Sequence, residues 1–225
     1  MSNVYISKAL RKDIPSDAIL LTRDEALKMH WNTMKEWKPR TDTWPFHYGI
    51  AALAGLNAVT TINFVHYYRR KLNLGNYGRV TMLLPTAILP SIASTMSHYT
   101  FVTNSIFLGE DCPLCTQTRA AMVQIAAGVI YPIVVTPVAG FYYAISYATY
   151  NVPPLRREYL PEIFKLWLSM TRKLKMRLPI AIAVNGFAAS ILTYFEAKSF
   201  YSIQSTIYQK EEEFERLMDE GFTQR

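Results

Sequence analysis

Two cysteines three positions apart, Cys112-Pro113-Leu114-Cys115, are the residues of this 225-residue chain best placed to do chemistry. A CxxC pair exchanges disulfides because the spacing lets one thiol resolve the other. Four-helix membrane enzymes that pass electrons from thiols to quinone need a second pair, and the chain has only these two cysteines. Cys112 and Cys115 are therefore read as a structural disulfide or a free pair at a loop apex. Zinc would want four ligands, and no histidine shares the loop. His30, His47, His66 and His98 fall near the ends of apolar runs or ahead of them. A haem would need an axial pair at matching depth; the four are read instead as interfacial histidines. Asn57, Asn63, Asn104 and Asn185 lie in or near those runs, and interhelical hydrogen bonds account for them. No charged residue is expected in mid-span, which disfavours a proton relay or ion-coupled carrier. No phosphate loop, nucleophile elbow or metalloprotease helix is present. No catalytic, cofactor or metal site is expected.

The elements that must carry these residues follow from how charge and apolarity are distributed. Mean hydropathy is near neutral at +0.04, yet long stretches lack Lys, Arg, Asp and Glu while the charged residues crowd between them. That is membrane patterning, and it predicts an all-α polytopic membrane protein with about four transmembrane helices. The spans are expected at 46–68, 80–107, 120–150 and 179–195. Pro85 and Pro90 predict a kink in the second. The third carries Pro132 and Pro137 and is long enough to need tilt or kinking; the fourth is expected to be the shortest, ending at Glu196. Small residues four apart permit close helix contact: Ala51 with Gly55 and Ala54 with Ala58 in the first span, Gly140 with Ala144 in the third. Gly186 does so in the fourth.

Around this domain at 46–197, an N-terminal extension at 1–45 and an acidic, solvated helical tail at 198–225 are expected. Thr22-Arg23-Asp24-Glu25 reads as a capping box that starts a helix in the extension; Trp31, Trp37 and Trp44 fit either a helix capping the protein or one lying at the headgroups. Met1 to Lys12 is basic but has no apolar signal core, so targeting is expected to be internal. Between the third and fourth spans, 162–178 repeats apolar residues at i, i+3 and i+4 among basic ones, which predicts an amphipathic surface helix. Trp167 and Met170 are expected to enter the headgroup boundary, with Arg172, Lys173, Lys175 and Arg177 toward lipid phosphates or partners. The net charge of +7 thus points to anionic lipid rather than nucleic acid. Basic residues concentrate in the first and third connections, so these share one side, opposite both termini and the cysteine loop.

The chain resembles the transmembrane protein 126 family of the mitochondrial inner membrane. The resemblance rests on Gly55-Leu56-Asn57-Ala58 followed by Arg69-Arg70-Lys71-Leu72-Asn73, on the loop Asp111-Cys112-Pro113-Leu114-Cys115-Thr116-Gln117-Thr118-Arg119, and on Gly128-Val129-Ile130-Tyr131-Pro132. It covers roughly 48 to the end of the fourth span. It implies a non-enzymatic factor that scaffolds membrane-arm intermediates of respiratory complex I within the intermediate assembly complex. The implied partners are complex I membrane-arm subunits, the CIA-domain assembly factor, ECSIT and an acyl-CoA dehydrogenase-like assembly factor. The implied setting is the mitochondrial inner membrane, with cardiolipin as the anionic lipid and the termini and Cys112/Cys115 loop in the intermembrane space. A membrane thiol oxidoreductase and a small carrier or channel are the alternatives.

Overall fold

The structure is a computed structural model that describes residues 20–109, 112–154 and 156–223; the basic segment from Met1 to Lys12 and Asp111 of the cysteine loop lie outside them. Among the described residues six principal helices follow in order, and no strand occurs. The first, α1 (Arg23–Glu36), begins at the Thr22 capping box: Glu25 N–H donates to Thr22 Oγ1, and Thr22 N–H donates to the Glu25 carboxylate at 2.9 Å. Four helices are long and apolar enough to cross a membrane: α2 (Pro45–Lys71), α3 (Arg79–Leu108), α4 (Pro113–Ser146) and the apolar part of α6. Between the last two lies the amphipathic α5 (Leu160–Arg172).

Proline shapes two of the spans locally. Widened π turns at Leu84–Ile88 in α3 and Ala126–Ile130 in α4 each end two residues before a proline, Pro90 and Pro132. A proline has no N–H for the carbonyl four residues back and its ring crowds that carbonyl, so widening the preceding turn relieves the clash. The irregularity falls in the first half of the second span, where the prolines predict it.

The fourth span departs from expectation. It belongs to the longest helix, α6 (Arg177–Thr223), which passes Glu196 and the 197/198 boundary without a break. Phe200, Ile203 and Ile207 are buried against α1 and the end of α3, so the first turns of the expected solvated tail are packed. The reason is an apolar i, i+3, i+7 pattern that continues past the acid.

Two apolar clusters hold the bundle. One gathers Phe64, Val65, Tyr68, Leu72, Met82, Phe141 and Met170. The other gathers Met34, Phe46, Leu53, Val102, Phe107, Leu192 and Phe200. The first and third connections meet at the former: Thr149 Oγ1 donates to Leu72 O at 3.0 Å, and Tyr67 Oη donates to Met170 O at 2.9 Å. At the latter, α1 docks on the bundle: Trp31 stacks on Tyr99 at 4.6 Å, and His30 packs against Phe107 and Phe200. The tryptophan helix is therefore covered by protein on that face.

The amphipathic helix is shorter than expected and rotated. It ends at Arg172; Lys173 and Lys175 sit in the following turn, and Arg177 opens α6 with its guanidinium 6.0 Å from the Tyr67 ring. Trp167 and Met170 do not point outward. Trp167 Nε1 donates to Ile133 O at 3.0 Å, and Met170 is buried in the first cluster. Leu160, Phe164 and Leu168 are instead the exposed apolar positions, alongside exposed Arg172, Lys173 and Lys175. A Trp indole requires a hydrogen-bond partner when half-buried, and the Ile133 carbonyl supplies one.

Candidate functional site

Between the two apolar clusters, each of the four spans contributes a polar side chain to one hydrogen-bonded layer. Gln124 of α4 is its centre. The Gln124 Oε1 accepts from Ser94 Oγ of α3 at 2.9 Å and from Asn57 Nδ2 of α2 at 3.4 Å. Its Nε2 donates to Leu53 O at 3.0 Å and to Asn185 Oδ1 of α6 at 3.5 Å. Asn185 Nδ2 in turn donates to Ala181 O and to Thr60 Oγ1 at 3.2 Å. Asn57, Ser94, Gln124 and Asn185 are all buried, and in a bilayer the alternative to these bonds is an amide without a partner.

The layer closes only because residue 128 is glycine. A Cβ at Gly128 would overlap Asn57 Oδ1 and come within 2.8 Å of Asn185 Oδ1; the amides fill the space a side chain would need. Gly140 plays a similar part toward Leu72 Cδ1, at 2.6 Å from where its Cβ would be, beside fully buried Ala144. Gly186 is buried with Ile125 Cδ1 at 3.2 Å. Ala51 and Gly55 are different: both are exposed, and nothing lies within 4 Å of a Cβ at Gly55. They face away from the other described helices, because α2 turns its 53, 57, 61, 64 and 68 positions inward.

A second polar contact lies inside the other apolar cluster. His98 Nε2 of α3 is 3.2 Å from both carboxylate oxygens of Glu196 of α6, and Thr103 Oγ1 donates to the same carboxylate at 3.5 Å. His98 is 2% exposed and Glu196 not at all. The reading of His98 as interfacial is thus overturned, and Glu196, expected at the end of the fourth span, is buried within the bundle. Hydropathy falls at Glu196 and so sets the expected span end there, whereas the helix continues and the bundle itself supplies the partner. The pair links α3 to α6; no group of three His, Cys, Asp or Glu side chains fit for a metal occurs among the described residues. Its evident task is to fix the register of two helices.

At the N-terminal end of α4, a disulfide joins Cys112 and Cys115, with Cα atoms 5.3 Å apart. Cys112 also caps α4, its Sγ accepting the Cys115 N–H at 3.2 Å. Of the remaining asparagines, Asn104 accepts from Trp31 Nε1 at 3.4 Å, while Asn63 donates to Val59 O of its own helix. Gln124, Ser94 and Thr103 are the functional positions that sequence reasoning missed. The available signal was the i, i+4 spacing of Gln124 with Gly128 and of Ser94 with His98.

The comparisons with known proteins agree with this architecture. The family model "Transmembrane protein 126" matches residues 27–213, so the likeness reaches into α1 and well past the fourth span, beyond the 48-to-fourth-span extent expected above. A fruit fly (Drosophila melanogaster) protein named Transmembrane protein 126 is 31% identical over 212 residues, covering 93% of this chain and 95% of that one. Rat (Rattus norvegicus) Transmembrane protein 126A is 31% identical over 156 residues, covering 67% of this chain and 75% of the relative. No solved structure matches. With a match across most of its length, this multi-pass membrane protein belongs to the transmembrane protein 126 family.

Proposed function

We propose that the protein is a scaffold of the mitochondrial inner membrane that holds membrane-arm intermediates of respiratory complex I within the intermediate assembly complex, together with the CIA-domain assembly factor, ECSIT and the acyl-CoA dehydrogenase-like factor. The observation that carries this reading is the outer face of α2. Ala51, Gly55, Val59 and Asn63 recur every four residues, and all are exposed. A helix from another membrane protein can approach closely along the small residues. Asn63 uses its amide N–H on its own helix, and its carboxamide oxygen is best served by a donor from such a partner. Gln124 ties Asn57, Ser94 and Asn185 of the other three spans together, which suits a bundle that must keep its shape while it holds a client.

The basic turn after α5 and the exposed Leu160, Phe164 and Leu168 support docking on an anionic surface, with cardiolipin as the lipid expected there. Orientation follows the basic connections: the matrix side for the first and third, the intermembrane space for the Cys112–Cys115 turn and both termini. Native electrophoresis of digitonin extracts tests the reading, because a scaffold comigrates with assembly intermediates far larger than its own 25.8 kDa.

A further inference from the structure

At the end of the bundle where the first and third connections meet, an open cleft of about 500 Å³ is lined by His66, Arg69, Arg70, Asn73, Gly75 and Arg79. The segment that lines it brings no acid, since the sequence has no Asp or Glu between Asp42 and Glu110, and Glu158 and Glu162 of the third connection are not among the lining residues. Arg69 is the informative residue. It is only 5% exposed, and its guanidinium donates to Gly75 O at 2.8 Å and reaches Met82 Sδ. No carboxylate is among its partners in the described residues. A buried cation without a counter-ion is strongly unfavourable, so the cleft calls for an anion from outside the chain.

The cleft is also built in advance. Leu72 and Leu74 are fully buried, and Leu74 N–H donates to Arg69 O at 3.1 Å. Asn73 and Gly75 hold left-handed conformations, φ 51° and 50°, which Asn and Gly tolerate best. Tyr77 stacks on Tyr147 at 4.4 Å. From Arg79, exposed Val80, Leu84 and Ile88 run down α3 at four-residue intervals, an apolar track leading from the cleft along a membrane span.

We propose that this cleft binds a phosphate group, cradled by Arg69, Arg70 and Arg79, and that the apolar track makes an anionic phospholipid its natural bearer. Guanidinium groups match phosphate oxygens in charge and geometry, and a preformed loop lowers the cost of ordering them. A free phosphate compound would use the same arginines without the track.

Native mass spectrometry of the full chain, incubated with phosphatidylcholine vesicles with or without phosphatidylglycerol, or with pyrophosphate alone, tests the site. The parent should retain one phosphatidylglycerol and no phosphatidylcholine. Arg70 and Arg79 are exposed, so R70Q/R79Q should fold as the parent does while its retention falls about twentyfold, and R70Q alone about fivefold. K28Q/K35Q, which removes the same charge from α1, should retain lipid at the parent level. Pyrophosphate binding without lipid retention, lost in R70Q/R79Q, upholds the phosphate site and assigns it to a soluble ligand. Retention of neither ligand by the parent, unchanged retention in R70Q/R79Q, or an equal fall in K28Q/K35Q would overturn the proposal.

Discussion

Glu196 and His98, nearly a hundred residues apart in sequence, form a buried pair 3.2 Å apart that ties α6 to α3 inside an apolar cluster. Removing one partner strands the other in a medium that solvates it poorly, which typically costs about 3–5 kcal/mol. H98A and E196A should each lower stability by roughly that amount in detergent unfolding. H98L/E196L, which removes both, should recover most of it. Additive losses in the double variant would show that the two residues act separately.

Gly128 and Gly55 should respond in opposite ways to the same change. G128A forces a methyl onto the Asn57 and Asn185 amides and should cost about 1–3 kcal/mol, as overpacking does. G55A meets open space and should be neutral or stabilise α2 by about 0.5–1 kcal/mol through helix propensity. Thermal midpoints of the two purified variants decide this.

Much of this architecture is legible in the sequence because charge exclusion over twenty or more residues and proline position are local signals. The same holds for the Thr22 capping box and the basic connections. The polar layer is not legible. Gln124 reads as one polar residue in an apolar helix until Ser94, Asn57 and Asn185 are brought around it from three other spans. Glu196 misleads for a related reason: a carboxylate at the edge of an apolar run marks a span end by hydropathy, and only the long-range contact with His98 shows it inside. Trp167 and Met170 share the apolar stripe that the spacing of α5 defines, but periodicity cannot say whether a stripe meets protein or lipid.

His30 gives the docking of α1 a pH dependence. Burial against Phe107 and Phe200 lowers its pKa below the usual 6.5. The released form binds a proton more readily than the docked form, so docking is fully favoured above pH 6.5 and weakens as pH falls from 6.5 toward the lowered value. The slope is at most about 1.4 kcal/mol per pH unit. Protection factors of the α1 amides, taken relative to the intrinsic exchange rate at each pH, should fall as pH drops below 6.5 in the parent and not in H30F.

The Cys112–Cys115 bridge closes a very short loop, for which chain entropy gives about 2 kcal/mol. Serine at position 112 retains a capping oxygen for α4. C112S/C115S should therefore insert with its helical content intact, melt modestly lower and lose some abundance or partner retention. Loss of the whole fold, or free thiols on labelling the unreduced parent, would contradict a local structural role.

Photocrosslinking from the open face of α2 tests the scaffold account most directly. A benzoylphenylalanine in place of Ala52, exposed beside Ala51 and Gly55, should capture a complex I membrane-arm subunit or an assembly-factor partner in intact mitochondria. Covering the small-residue face with leucine, as A51L/G55L, should abolish that capture and slow accumulation of membrane-arm intermediates without unfolding the bundle. Crosslinks to lipid alone, with intermediates accumulating normally in A51L/G55L, would contradict the account.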